Sequence, residues 1–155
     1  MLARRRFGEE RMIFRSAGFL SSGKRCPAEL VKVVGELGLD LSSHQSYQLD
    51  PPSIGAADLV LTMEGEHVRK AADSWPEAFP KVIPLSEAVY TANNMGVGQI
   101  QLGDLVGRIN QVRDPMTYLR DDWDVEDPYK RRMKHYRKAV KEIDGLIEGL
   151  FSRLV

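Results

Sequence analysis

A chain of 155 residues, with 22 Lys plus Arg against 22 Asp plus Glu, has the length of one domain that buries roughly 70% of the surface its unfolded chain exposes. Its formal charge of zero excludes a global field that draws the protein to nucleic acid or to a membrane. The one cysteine, Cys26, excludes an intrachain disulfide framework and Cys-cluster metal sites and suits a reducing compartment.

Met1 to Phe19 contains no apolar core of signal-peptide length, and no stretch of about 20 uncharged apolar residues follows. A single cytoplasmic domain over residues 1–155 is therefore expected. Leu2 to Glu10 has the composition of the end of a helix. Met12, Ile13 and Phe14 then read as a short strand closed by Arg15-Ser16-Ala17-Gly18. Pro27 opens a helix over Ala28 to Leu37, with Leu30, Val33, Val34 and Leu37 facing inward and Gly38 as its stop. Leu39 to Ser46 is loop or a short helix start, and Pro51-Pro52 breaks the chain before the next element. Asp58 to Met63 contains the run Leu59-Val60-Leu61, which predicts a strand buried on both faces of a parallel sheet. A helix over Glu64 to Ala72, a loop punctuated by Trp75-Pro76 and Phe79-Pro80, and a strand through Val82, Ile83 and Leu85 complete a βαβ-like alternation. Tyr90 to Tyr118 is polar and Gly-rich, with one amphipathic helix through Leu102, Leu105, Val106 and Ile109. The final helix is the plainest: Met133, Tyr136, Val140, Ile143, Ile147, Leu150 and Leu154 recur three or four apart.

Four segments in this order, Arg15-Ser16-Ala17-Gly18, Asp40-Leu41-Ser42-Ser43-His44, Ala57 to Met63 and Asp127-Pro128-Tyr129, resemble the low-molecular-weight protein-tyrosine phosphatases. The resemblance runs from about Leu2 to Leu154. It implies an α/β fold of the phosphotyrosine phosphatase I type, a three-layer, helix-covered parallel sheet. It also implies hydrolysis of phosphotyrosine monoesters through a cysteinyl-phosphate, on a phosphotyrosine protein or a small aryl phosphate and with no cofactor or metal. Asp127 is then the acid that protonates the leaving phenolate, Tyr129 the wall beside the substrate ring, and Ser16 and His44 supporting residues near the phosphate. Taken from the residues alone, Asp-Pro is also a common turn opener, and Ser16 and His44 also suit local hydrogen bonding.

That chemistry further requires a low-pKa thiolate in a Cys-x5-Arg loop, and the sequence contains none. The sixth residue after Cys26 is Lys32. The start of the helix after Cys26 would lower its thiol pKa modestly, but the surrounding pattern is that of a capping or half-buried cysteine. In the family the loop follows a first strand that lies centrally in the sheet, so the expected fold has that strand missing or replaced. The open edges then point to a homo-oligomer or a remodelled sheet. A late start within a longer product and a genuine loss both fit, and a beginning inside a helix favours the former. A non-catalytic interaction or regulatory protein on the same fold is the alternative. Arsenate-reductase chemistry needs several thiols. Gln45 stands where the family often carries Arg, and His44, His67 and His135 are too scattered for a metal motif. Replacing Cys26 by Ala is expected to leave any metal-independent aryl-phosphatase activity unchanged; loss of such activity in a steady-state assay would make Cys26 a nucleophile.

Overall fold

The structure is a computed structural model that describes residues 12–155; the helix expected over Leu2 to Glu10 lies outside them. It is a mixed α/β fold with a small parallel sheet and surrounding helices, and it divides into two compact units. One comprises the described residues up to Asp50 together with Glu126–Gly145, and the other comprises Pro51–Val125 and Leu146–Val155.

In the first unit, α1 spans Ala28–Gly35 and begins behind Pro27, with Glu29 in its first turn. Proline there sacrifices no intrahelical hydrogen bond, and an acidic side chain suits the positive end of the helix. The chain turns away where Gly38 adopts φ 72°, a conformation that Gly accepts without steric penalty. The Leu39 N–H then donates to the Val34 carbonyl. Val33 and Val34 form a core with Tyr136 and Val140 of the last helix, flanked by Leu30, Leu39, Leu41 and Met133. Burying each valine contributes about 1.5–3 kcal/mol. Leu37, expected to face inward, is 39% exposed because the helix ends before it.

The expected strand at Met12–Phe14 does not form. These residues are irregular, and Ile13 is 82% exposed. A three-residue apolar run is a weak strand signal by itself, and no described strand runs beside it. Order in this part of the chain comes from a zipper between residues 18–25 and 45–49. The Gly18 N–H donates to the Tyr47 carbonyl, the Leu49 N–H to the Gly18 carbonyl and the Ser46 N–H to the Lys24 carbonyl, and Arg25 bridges Gln45 antiparallel. Ser46 Oγ accepts from the Lys24 N–H and donates to the Ser21 carbonyl, each at 3.0 Å.

The second unit holds the sheet. After α2 (Pro51–Ala56), β1 (Val60–Thr62) pairs in parallel with β2 (Val82–Pro84), in the register Val60 to Val82, Leu61 to Ile83 and Thr62 to Pro84. The crossover between them consists of α3 (Gly65–Ser74) and a 3₁₀ turn (Pro76–Lys81), as parallel strands require. β2 is buried throughout, whereas Val60 and Leu61 are only half-buried. This corrects the expectation of a run covered on both faces: among the described residues β1 has a strand on one side only. Pro84 ends the ladder because it has no N–H to donate. The next residue opens α4 (Leu85–Asn93), a helix that the sequence reading missed by assigning Leu85 to the strand. Leu85, Ala88 and Ala92 lie on its buried face. α5 (Leu102–Val112) and a second 3₁₀ turn (Pro115–Leu119) follow. The last helix, α6 (Met133–Phe151), matches its periodicity as far as Leu150; Leu154, expected on it, lies past its end and meets Ile100 in a parallel bridge.

Gly65 marks the tightest approach in this unit. A Cβ there would lie 3.1 Å from the Tyr118 Cα and 3.2 Å from its carbonyl oxygen. Gly65→Ala is therefore expected to destabilise by about 1–3 kcal/mol. Gly107→Ala on α5, where the added Cβ meets nothing within 4 Å, should stabilise by about 0.5–1 kcal/mol; urea denaturation of both variants checks the contrast.

Candidate functional site

The residues singled out in the sequence all fall in the first unit. Ser16 is exposed in the irregular segment just before the Gly18 end of the zipper. His44 is half-buried just before the Arg25–Gln45 end, and its N–H donates to the Leu41 carbonyl at 3.1 Å. The turn before it is set by Asp40, whose carboxylate accepts from the Ser42 N–H at 2.7 Å. Hydrogen bonds from Ser42 hold the Asp40 carboxyl below its usual pKa.

Asp127 is exposed, and its Oδ1 accepts from the Tyr129 N–H at 2.9 Å. This is an Asx turn, the geometry that Asp-Pro sequences favour. It fixes the carboxylate to its own backbone. Tyr129 is 58% exposed, with the Lys130 ammonium 5.3 Å from its ring centroid. Lys130 itself adopts φ 60°, a region costly for a residue with a Cβ. The turn thus presents an acid, an aromatic ring and a cation on consecutive or near-consecutive residues. Among the described residues no hydrogen bond or ion pair joins Asp127 or Tyr129 to Ser16 or His44.

Beside this turn lies a cluster absent from the sequence reading. Glu126 meets Lys138 at 3.3 Å, with Arg131 and His135 each at 3.4 Å. Lys138 first, then Arg131 and His135, hold the Glu126 carboxyl below its usual pKa. The spacing of His135 and Lys138 on one helix face was a signal for it. The Arg137 guanidinium likewise grips Glu36 with two bonds, at 2.7 and 3.1 Å, tying α6 to α1 on an exposed, salt-screened surface.

Cys26 is half-buried. Burial pushes its thiol pKa up, which corrects the expectation of a modest lowering by the helix start. Desolvation disfavours the thiolate, and Lys32, at the position a Cys-x5-Arg loop reserves for Arg, lies inside α1.

Residues 3–99 match the family profile described as low molecular weight phosphotyrosine protein phosphatase. Among solved structures, the chain is similar to a low molecular weight protein tyrosine phosphatase from T. tengcongensis. The two are 29% identical with a TM-score of 0.66, over 90% of this chain and 76% of that one. It is also similar in fold to the arginine phosphatase YwlE from Geobacillus stearothermophilus, at 24% identity and a TM-score of 0.64, over 89% and 71% of the two chains. A probable low molecular weight protein-tyrosine-phosphatase from Ralstonia solanacearum, EpsP, is 22% identical over 133 residues, 86% of this chain and 70% of that protein. Ser16, Cys26 and His44 lie within the span of the family match, and Asp127 and Tyr129 lie beyond it.

Glu126 supplies a pH test of this surface. Its folded pKa is depressed, so its stabilising contribution is present above the unfolded value and is lost as pH falls through the folded one. In a carboxyl NMR titration, Lys138→Ala should raise the Glu126 pKa toward the ordinary glutamate value; an unchanged titration would show that the cluster does not act in solution.

Proposed function

This chain belongs to the low-molecular-weight phosphotyrosine protein phosphatase family, and on that premise we propose that its 155 residues carry the acid of a phosphomonoester hydrolase without the nucleophile. The observation that carries the reading is the contrast between Asp127 and Cys26. Asp127 stands exposed in an ordered Asx turn beside an exposed tyrosine ring. The only thiol is partly desolvated, its pKa is raised, and it is followed at the sixth position by a helical lysine. Such a thiol is a poor phosphoryl acceptor. The fold reading that accompanies this is one phosphatase-like domain over residues 1–155, cytoplasmic, with β1 and β2 belonging to a three-layer, helix-covered parallel sheet whose first strand is missing or replaced.

When a Cys-x5-Arg loop is supplied, the reaction class is hydrolysis of a phosphotyrosine protein or a small aryl phosphate. The thiolate forms an S–P bond as the P–O bond to the phenol breaks, and protonated Asp127 gives its proton to the departing phenolate oxygen. Water then breaks the S–P bond, Asp127 takes the proton from that water, and inorganic phosphate leaves. The Tyr129 ring lies along the aryl group, with Ser16 and His44 ordering the turns around the phosphate. Keeping Asp127 in a solvent-exposed turn suits a group that must accept and give a proton within each cycle.

A second reading keeps the fold and discards the chemistry, making the chain a binding or regulatory protein, with a homo-oligomer as one form. The missing Cys-x5-Arg pattern and the use of Gln45 as a backbone bridge to Arg25 favour it. Size-exclusion chromatography with light scattering tests it, and a strict monomer that captures no protein partner would count against it.

Residues 1–155 should give no burst of phenol from an aryl phosphate in rapid-quench kinetics. Joined to an upstream strand and Cys-x5-Arg loop, the protein should turn over, and Asp127→Asn should then lower the rate by roughly 10²- to 10⁴-fold for a poor leaving group and far less for a good one. Equal rates for variant and parent with both leaving groups would reduce Asp127 to a turn residue.

A further inference from the structure

Away from the candidate site, the second unit carries a buried acid that the proposed reaction does not use. Glu87, in the first turn of α4, is 6% exposed, and its Oε2 accepts from the Tyr118 hydroxyl at 2.7 Å. Tyr118 is 2% exposed and lies midway along residues 114–125, a strap that includes the second 3₁₀ turn. The strap is pinned at both ends. At its start, the Arg113 guanidinium donates to the Phe79 and Val82 carbonyls at 2.8 and 2.9 Å and stacks 4.5 Å over the Phe79 ring. At its end, the Val125 N–H donates to the Met63 carbonyl at 2.8 Å, the Gly65 N–H donates to Asp124 Oδ1 at 2.7 Å, and the Ser86 hydroxyl donates to the Trp123 carbonyl. Between these pins, the buried Glu87–Tyr118 bond joins the strap to a titratable group on the helix beneath.

We propose that Glu87 and Tyr118 form a proton-responsive latch, which holds the strap over residues 114–125 on the second unit most firmly when Glu87 is protonated and loosens it as Glu87 ionises. The physical reason is desolvation. A closed strap buries the carboxyl, so ionisation in place is opposed; lifting the strap returns Glu87 to water, where the charge is stabilised. Burial accordingly raises the Glu87 pKa, against smaller opposing effects of the Tyr118 hydrogen bond and the Arg113 charge. A folded pKa above the unfolded value means that the contribution is present below the unfolded pKa and is lost as pH rises through the folded one. The groups facing Glu87 are few. Tyr118 comes from the strap and Arg113 from the end of α5. β2 has no titratable side chain, and Asp104 and Arg108 on α5 are exposed. At the end of α6, where Gly149 lies 3.5 Å from Val89 across a notional Cβ, Glu148 is exposed and Arg153 is bonded to the Gly96 and Gly98 carbonyls.

The strap ends at Val125, two residues before Asp127 along the chain. This role is independent of whether Asp127 acts as an acid. Native-state amide hydrogen exchange on residues 1–155 tests it, after correction for the intrinsic pH dependence of exchange. The opening constants of the Gly65 and Val125 amides should rise with pH above the ordinary glutamate range, by at most roughly tenfold per pH unit for one proton, and level off once Glu87 is ionised. Glu87→Gln, which keeps the volume and an acceptor for Tyr118, should remove that slope. Tyr118→Phe should raise opening at both amides, by roughly fivefold to tenfold while Glu87 is protonated and by more once it is ionised, because that hydrogen bond favours the ionised carboxyl. A flat pH profile in the unmutated protein, a slope that survives Glu87→Gln, or opening at these amides only together with the Ile83 amide of β2 would each overturn the latch.

Discussion

Three rungs of parallel pairing, from Val60–Val82 to Thr62–Pro84, constrain most of the second unit. Parallel strands cannot be joined by a tight turn, so α3 and the 3₁₀ turn at Pro76–Lys81 must cross between them and pack back onto them. The crossover starts at Gly65, where the backbone must pass within van der Waals reach of Tyr118; a side chain there would push the strap away. At its end the Phe79 carbonyl accepts from the Val82 N–H, and the Arg113 guanidinium donates further bonds to the Phe79 and Val82 carbonyls. The short sheet thus dictates where α5 ends and where the strap begins.

The first unit is organised by different means. Its described residues hold no extended ladder; the zipper between residues 18–25 and 45–49 and the core joining α1 to Tyr136 and Val140 do that work. A group that must exchange protons with a substrate cannot sit in a core without its ionisation being biased by desolvation. Asp127 and Tyr129 occupy an exposed turn, and Glu87 occupies a buried helix end. The two carboxyl groups have the same chemistry and opposite environments, one exposed and one buried.

Much of this was legible in the sequence. The 3.6-residue recurrence from Met133 onward predicted α6 because that pattern is set by local geometry, and the Leu59-Val60-Leu61 run predicted a parallel strand, which forms where β2 pairs with it. Met12-Ile13-Phe14 carries the same apolar signal as β1 and is irregular, so an apolar run does not by itself specify a strand. The Leu85 boundary was misplaced for a related reason: Pro84 ends the ladder and simultaneously presents the chain for a helix, so one residue carried signals for both states. The acid turn was visible as Asp-Pro-Tyr, but its Asx bond and the αL conformation of Lys130 were not.

By itself the sequence determined the family to which the chain belongs, the absence of a Cys-x5-Arg pattern among its 155 residues, and the periodic helices, all of which depend on residue identity and spacing along one dimension. Only the tertiary structure decided that Cys26 is a partly desolvated thiol, that β1 is half-covered, and that Glu87 meets Tyr118 across 31 positions of chain. Desolvation and long-range pairing depend on which distant residues exclude water from a given atom, and spacing along the chain carries no record of that.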